Sequence, residues 1–175
     1  MPVLPYGAKM PQLADDVFVA PGAHVIGDVQ MGASCSVWFG TQVRGDVHHI
    51  RIGDRVNIQD NSVVHVTTNA HPTIIGHDVT VGHRVILHGC TVGAGALIGM
   101  GAIVMDRAVI GEGALIAAGA LVPEGVQIPA GVLAIGAPAK VKRPLTAEEQ
   151  ARLKTSAGHY VNIARQYVSQ LGFRS

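Results

Sequence analysis

The sequence contains few aromatic residues, few charged residues and only two cysteines. Aromatic side chains make up 4% of the chain, so small aliphatic side chains must fill most of any core. The formal net charge is only +1 and no block of basic residues occurs, which argues against a nucleic-acid partner. Cys35 and Cys90 are too few for a disulfide framework. We therefore expect both thiols to be free and the protein to be cytoplasmic.

Features that direct a chain to a membrane are also missing. The N-terminal residues show no positively charged segment followed by an apolar run, so no signal peptide is expected. Residues 85–105 contain no formally charged side chain, but His88, Cys90 and five glycines interrupt the apolar character that a transmembrane helix needs. We therefore expect a soluble protein with no membrane partner.

The sequence is rich in glycine and places an aliphatic residue at every sixth position over long stretches. This hexapeptide pattern is typical of a left-handed parallel β-helix, in which three hexads complete one triangular coil. We therefore predict an all-β fold with a C-terminal α-helix. The β-helix domain should cover residues 1–144 in about six coils, with a lead-in over residues 1–16. The predicted core positions are Val19, Val25, Met31, Val37, Val43, Ile52, Ile58, Val64, Ile75, Val81, Leu87, Val92, Ile98, Val104, Ile110, Ile116, Val122, Ile128 and Ala134.

The six-residue spacing changes at three places. It lengthens to nine residues after Val43 and to eleven after Val64, and it shortens to five after Leu87. The eleven-residue step predicts a loop within residues 67–73 that leaves the solenoid. Loops of this kind often carry function, although a tolerated insertion would show the same spacing.

The C-terminal residues 145–175 carry the pattern of an amphipathic helix. Thr146 and Glu149 form a capping-box pattern, and Gly172 is suited to end the helix. The apolar stripe must pack on a face of the solenoid, in the same chain or in a neighbouring one. Three-fold closure suits a triangular cross-section, so we predict a homotrimer. The stripe consists of Leu153, Ala157, Tyr160, Val161, Ala164, Tyr167, Val168 and Leu171.

Counting hexads places three polar residues in one outward column. His65 follows the core residue Val64, and His88 follows the core residue Leu87 three hexads later. Three hexads make one coil, so we expect the two backbones to lie about 4.8 Å apart with the imidazoles side by side. Arg44 occupies the same column one coil below His65.

His83 belongs to an adjacent face, with Asp60 one coil lower in its column and Gln59 beside Asp60. Side chains that point outward from two faces of one prism do not converge on one ion, so we predict a metal site between two chains. His65 and His88 would come from one chain and His83 from the next. Three neutral imidazoles suit Zn²⁺, with Co²⁺ or Fe²⁺ as alternatives, and leave one coordination position for water.

Other polar residues are expected to support this site. Arg44 and Asp60 would pair across the interface, and Asp46 would orient Arg44. Gln59 would hydrogen-bond the bound hydroxide or a small substrate. His71, in the predicted loop, is a candidate for the mouth of the site. We expect the remaining histidines to be solvated or to make interface contacts: His24, His48, His49, His77 and His159.

These residues lie within two longer motifs, RGDVHHIRIGDRVNIQDNSVVHV and GHDVTVGHRVILHGCTVG. With them the chain resembles the gamma-class carbonic anhydrases, and in particular their YrdA-like bacterial branch. The resemblance extends to IGAPAKVKRPLTAEE and SAGHYVNIARQYV near the C-terminus. It implies a trimer of left-handed β-helices that binds a zinc-like ion between subunits through His65, His83 and His88. The implied reaction is the reversible hydration of CO2 to bicarbonate by metal-bound hydroxide.

The resemblance also implies roles for four further residues. Arg44 and Asp60 would pair across the interface, and Gln59 would contact the metal-bound solvent. Tyr160, on the final helix, resembles the tyrosine that this branch places near the metal.

Val47 and Thr68 depart from the family pattern. They stand where the best-characterised members carry glutamates, the second of which is proposed to export protons. Weak activity is therefore expected. Two other functions on the same scaffold remain open: an acyl-CoA thioesterase or acyltransferase that uses His71 as its base, and a non-catalytic trimer held together by its metal.

Overall fold

A computed structural model describes residues 2–172 as a parallel β-solenoid of about seven turns with one helix at its C-terminal end. Most strands are two or three residues long, because the rest of each hexad forms a corner. The left-handed β-helix that the hexapeptide pattern predicted is confirmed. The elements in chain order are β1 (Val3–Leu4), β2 (Gln12–Leu13), β3 (Phe18–Val19), β4 (His24–Met31), β5 (Ser36–Val37), β6 (Gln42–Ile52), β7 (Asn57–Ile58), β8 (Val63–His65), β9 (Thr73–Ile75), β10 (Thr80–Val81), β11 (Ile86–His88), β12 (Thr91–Val92), β13 (Leu97–Ile98), β14 (Ile103–Val104), β15 (Val109–Ile110), β16 (Leu115–Ile116), β17 (Leu121–Val122), β18 (Gln127–Ile128), β19 (Val132–Gly136), β20 (Ala139–Pro144) and α1 (Ala147–Leu171).

The predicted aliphatic positions form the core of the solenoid. All of them after Val19 are buried, as far as Ala134, and Val19 itself is half-buried. Their strands stack in parallel register, so that Val64 lies between Val43 and Leu87 of the neighbouring coils. Stacked small aliphatic side chains therefore supply the apolar burial that a core with few aromatic residues needs.

The solenoid has one coil more than predicted, because the lead-in takes part in it. β1 pairs with β4 through Val3 and Val25, and β2 pairs with the same strand through Gln12 and Gln30. Leu13, six residues before Val19, continues the aliphatic series and stacks on Met31, but Val3 pairs with Val25 outside the six-residue spacing, so the sequence showed only part of this coil. Backbone pairing with β4 brings the segment into the solenoid.

The other end of the solenoid also differs from expectation. The last residues of the predicted β-helix domain do not form a parallel coil, because β19 and β20 form an antiparallel hairpin in which Val132 faces Pro144 and Gly136 faces Ala139. β20 is the outermost strand of the sheet that contains β16 and β13. The hairpin thus changes the strand direction at the edge, where a further parallel coil would otherwise pair.

One corner of the solenoid is lined by a column of glycines. A Cβ atom on Gly53 would lie 2.7 Å from the backbone nitrogen of His77 in the next coil, and a Cβ on Gly93 would lie 2.7 Å from that of Glu112. Such distances are too short for any side chain, so this corner requires glycine for close backbone stacking. The column consists of Gly32, Gly53, Gly76, Gly93 and Gly111.

The C-terminal helix begins and ends where the sequence indicated. Thr146 and Glu149 form a complete capping box, and Gly172 ends the helix in the left-handed conformation with φ of 64°. α1 packs on β3, β5 and β7 of its own chain. Trp38 lies at the centre of this contact, with its ring edge-on to those of Tyr160 and Tyr167 at centroid distances of 6.0 and 5.3 Å. Met1 and residues 173–175, which the predicted domains included, lie outside the described residues.

The state of the two cysteines and the character of the helix bear on two further expectations. Cys35 and Cys90 are buried and unpaired, as predicted, and burial raises the pKa of both thiols to about 12. Within residues 2–172, no helix combines the length and the apolar character needed to cross a bilayer.

Gly158 lies in an exposed turn of α1, where a Cβ atom would meet nothing within 4 Å. Gly158→Ala is expected to raise the free energy of unfolding by about 0.5–1 kcal/mol, because alanine loses less backbone entropy in a helix. Urea unfolding at a fixed protein concentration measures the change. Gly93→Ala is the matched control and should destabilise, since its Cβ would press on the next coil. A lower midpoint for Gly158→Ala would contradict the assigned helix.

Candidate metal centre

The three irregular spacings of the repeat lie at one corner, next to the predicted histidine column. Val43, Val64 and Leu87 are stacked partners, so the segments that follow them begin at the same corner. The longest of these segments closes into a small hairpin through an antiparallel bridge between Thr67 and His71. Departures from the hexad are therefore concentrated where the polar residues are.

His65 and His88 are direct register partners on β8 and β11, as the hexad count predicted. Nδ1 of His65 lies 3.1 Å from Nε2 of His88. Arg44 follows Val43, the partner of Val64, so it occupies the same column one coil lower. The predicted order of the column is thus confirmed.

Carboxylates hold the two imidazoles from behind. Oδ1 of Asp46 lies 3.0 Å from Nε2 of His65, and Oδ1 of Asp106 lies 2.6 Å from Nδ1 of His88. A carboxylate accepts hydrogen bonds, so these two far nitrogens carry the hydrogens of the neutral rings. The nitrogens that face each other are then both lone-pair acceptors.

Two acceptors at 3.1 Å repel each other unless a cation, either a proton or a metal ion, lies between them. Two nitrogens that bind one tetrahedral zinc ion at 2.0–2.1 Å are about 3.3 Å apart. The separation and the donor set of His65 and His88 therefore fit two ligands of one metal ion. A carboxylate behind each imidazole is the usual support for histidine ligands.

Both supporting carboxylates are ionised at neutral pH. Burial opposes the charge on Asp46, but hydrogen bonds from His65 and Arg44 outweigh it and hold the pKa of Asp46 below its ordinary value. Burial likewise opposes the charge on Asp106, and hydrogen bonds from Thr67 and His88 lower its pKa in the same way. Each imidazole therefore has an ionised carboxylate behind it, and this negative charge favours a cation at the nitrogens that face each other.

His83 lies on a different sheet, after β10, and Asp60 supports it. Nδ1 of His83 is 2.8 Å from Oδ2 of Asp60, so Nε2 is left as a free acceptor on a side chain that is 45% exposed. Among residues 2–172, no three His, Cys, Asp or Glu side chains come together to hold a metal ion. One chain thus presents two of the predicted ligands on one face and the third on another, and the predicted union of the two faces needs a second chain.

Arg44 contacts Asp46 in the same chain through an ion pair. This is the orienting contact expected for Asp46, which in addition holds His65. Among the described residues, 2–172, Asp60 contacts His83 and no arginine. Pairing of Arg44 with Asp60 across an interface therefore stays a prediction.

Comparison with known proteins follows from this geometry. A family profile described as "Bacterial transferase hexapeptide (six repeats)" matches residues 89–124. Protein YrdA of Escherichia coli is 43% identical over 172 residues, which covers 95% of this chain and 94% of YrdA. The chain belongs to the hexapeptide-repeat family of YrdA and the gamma carbonic anhydrases. This agrees with the resemblance noted from the motifs.

Two other members of the family carry functional names. The mitochondrial gamma carbonic anhydrase 2 of Arabidopsis thaliana is 57% identical over 58 residues, which are 33% of this chain and only 21% of the plant protein. A solved structure from Bacillus cereus, provisionally called an acetyltransferase, superposes with a TM-score of 0.93 at 47% identity and covers 95% of this chain and 96% of that one. The chain therefore spans about a fifth of the length of its matched plant relative.

Val47 and Thr68, where the resemblance implied glutamates, both lie at the corner with the irregular spacings. The carbonyl of Val47 accepts a hydrogen bond from the amide of Asn69, at 3.2 Å. The segment after Val43 therefore supports the small hairpin that the Thr67–His71 bridge closes. Thr68 is exposed on the hairpin, beside Thr67, whose hydroxyl donates to Asp106 at 2.6 Å. Neither position offers a titratable side chain.

Gln59 and Tyr160 lie on the face of the solenoid that carries His83. Gln59 is buried, and its Nε2 donates to Oδ1 of Asn57 at 3.0 Å. Burial raises the pKa of Tyr160, and the negative charge of Asp60 adds to the effect, so its hydroxyl is protonated at neutral pH. α1 thus brings Tyr160 within electrostatic reach of Asp60.

Asp106 is a site residue that the hexad count did not identify. It is the second residue after Val104, which stacks on Leu87, so it lies one coil above Gly89. A Cβ atom on Gly89 would collide with the carboxylate of Asp106, and the missing side chain lets that carboxylate reach His88. A glycine beneath an aspartate in one column was the available sign.

Proposed function

We propose that the protein is a gamma-type carbonic anhydrase-like enzyme that hydrates CO2 reversibly to bicarbonate at a site between neighbouring chains of a cytoplasmic homotrimer. His65 and His88 of one chain and His83 of the next would hold the ion. The observation that carries the proposal is the 3.1 Å approach of two imidazole acceptors, each held from behind by a carboxylate. The plant relative named as a gamma carbonic anhydrase supports the choice of reaction.

Zn²⁺ fits three neutral imidazoles, with Co²⁺ or Fe²⁺ as alternatives, and would supply hydroxide near neutral pH by lowering the pKa of water. The side chains of the protein provide the rest. Asp46 and Asp106 fix the ring orientation of His65 and His88. The side-chain amide of Gln59 would form a hydrogen bond with the attacking water or with a small substrate.

The remaining roles concern assembly and proton transfer. Arg44 and Asp60 would join across the interface and keep the two halves of the site in register. Tyr160 would present a neutral hydroxyl near Asp60. Because Val47 and Thr68 replace two acidic groups, proton export depends on external buffer, and the enzyme is expected to be slow.

The test is metal analysis combined with stopped-flow CO2 hydration under reducing, anaerobic conditions and at several buffer concentrations. We expect about one bound metal ion per chain and a metal-dependent rate that rises with buffer concentration. His88→Ala should remove both the metal and the rate. His77→Ala is the matched control, because His77 also pairs with an aspartate, Asp54, but at another corner. Metal-loaded protein without CO2 hydration above the buffer rate would refute the reaction.

A second candidate is acyl transfer or thioester hydrolysis from acyl-CoA, with His71 as base. The high structural similarity to a protein provisionally called an acetyltransferase favours it. An acyl-CoA panel with wild type and His71→Ala separates the two functions. If both assays are negative and chelation dissociates the trimer, the metal has a structural role only.

A further inference from the structure

A line of buried polar side chains connects Gln59 with the C-terminal helix. Nε2 of Gln59 donates to Oδ1 of Asn57 at 3.0 Å, and Nδ2 of Asn57 donates to Oγ1 of Thr80 at 3.0 Å. Oγ1 of Thr80 lies 2.8 Å from Oγ of Ser156 on α1. Gln59, Asn57 and Thr80 are each at most 5% exposed. Buried polar groups need hydrogen-bond partners, so a continuous chain of such bonds fixes the orientation of each side chain in it.

The order of donors and acceptors decides what Gln59 presents. Asn57 gives its Nδ2 hydrogen to Thr80, so the hydroxyl hydrogen of Thr80 is free to go to Ser156. The Oδ1 of Asn57 is then the acceptor that faces Gln59, and it selects the amide nitrogen of Gln59 over the oxygen. Turning the Gln59 amide alone would place two acceptor oxygens against each other, so the amides of Gln59 and Asn57 can turn only together, with the Thr80 hydroxyl then donating to Asn57.

The carbonyl oxygen of Gln59 is left with capacity to accept. It receives no hydrogen bond from any other side chain among residues 2–172, and no fully buried side-chain oxygen in that range lacks a partner. Oε1 therefore reaches solvent. Gln59 directly precedes Asp60, which holds His83, so the free oxygen lies beside one half of the candidate metal centre.

We propose that α1 positions the candidate site: Ser156 and Thr80 hold Asn57, and Asn57 holds Gln59 with its carbonyl oxygen free to accept a hydrogen bond from the water that attacks CO2. This inference rests on the proposed function. Thr80 and Ser156 are positioning residues, because they act only through Asn57 and Gln59. The helix that carries Ser156 also carries Tyr160 one turn later, so a single element sets two groups on the same face.

The test follows the side-chain amide of Gln59 directly. Its ¹H–¹⁵N signals are assigned by their loss in Gln59→Ala, and their exchange with solvent is measured by NMR in the full-length protein. Thr80→Val, which removes the hydroxyl but keeps the shape, is expected to speed exchange about tenfold or more. Ser156→Ala should give a smaller increase in the same direction. Thr80→Ser and Thr155→Ala, a neighbouring exposed hydroxyl that bonds only carbonyls of its own helix, should leave the rate unchanged.

CO2 hydration is the second measurement. kcat/KM of Thr80→Val should fall toward that of Gln59→Ala and should fall no further in the double variant, because both changes act on one group. Unchanged exchange in both Thr80→Val and Ser156→Ala would overturn the proposal, and the second variant serves if the first does not fold. If wild type hydrates no CO2 but shows this exchange pattern, the proposed reaction fails while the positioning chain stands.

Discussion

Subunits that carry His65→Ala and subunits that carry His83→Ala, each inactive alone, are expected to recover about one quarter of the wild-type CO2 hydration when they are co-expressed in equal amounts. In the proposed trimer, each site would take His65 and His88 from one chain and His83 from the next. In a random trimer, half of the first kind of face and half of the second kind are intact, and the two combine independently. Stopped-flow hydration and metal content per trimer are the measurements.

A second mixture provides the control. His65→Ala and His88→Ala damage the same face, which carries both register partners, so no combination of these chains rebuilds a site. We expect neither activity nor metal binding from that pair. Recovery in both mixtures, or in neither, would contradict a metal site shared between two chains.

Asp106→Asn is expected to weaken metal binding about 10- to 100-fold. The carboxylate accepts from Nδ1 of His88 at 2.6 Å and so keeps Nε2 as the free acceptor. An asparagine amide can offer a donor instead and can stabilise the wrong tautomer of His88. Competition with a chromogenic zinc chelator measures the affinity, and His88 tautomers are read by ¹⁵N NMR.

The same substitution at another corner is the control for Asp106→Asn. Oδ2 of Asp54 lies 3.3 Å from Nδ1 of His77, and neither residue belongs to the candidate centre. Asp54→Asn should therefore alter the local hydrogen bonds without changing zinc affinity. Equal losses in both variants would mean that Asp106 acts through stability rather than through His88.

The features that could be predicted from the sequence are those that follow from the six-residue repeat or from short local motifs. Residues one coil apart in a solenoid occupy equivalent positions, so the stacking of His65 on His88 and of Asp60 beneath His83 required only the repeat length. The helix boundaries were equally local, because Thr146, Glu149 and Gly172 carry their information within one turn.

What the sequence did not reveal depends on contacts without a period. In the N-terminal coil only Leu13 continues the six-residue spacing, while Val3 pairs with Val25 outside it. Ser156 meets Thr80 across 76 residues, and nothing near either residue marks the pair. Asp106 reaches His88 only because Gly89 has no side chain, a vacancy that is recognised once the column is known.

The corner lined by glycines, where the coils stack most closely, is a different corner from the one that carries the candidate metal ligands. The coils are locked together where Gly53, Gly76 and Gly93 allow backbones to touch, while the segments after Val43 and Val64 vary in length on a different edge. Segments at the corner that carries His65 and His88 can therefore change in length while the stacking of the coils stays the same. New segments grafted at this corner would alter access to the candidate site, its acidity or its substrate preference without disrupting the solenoid.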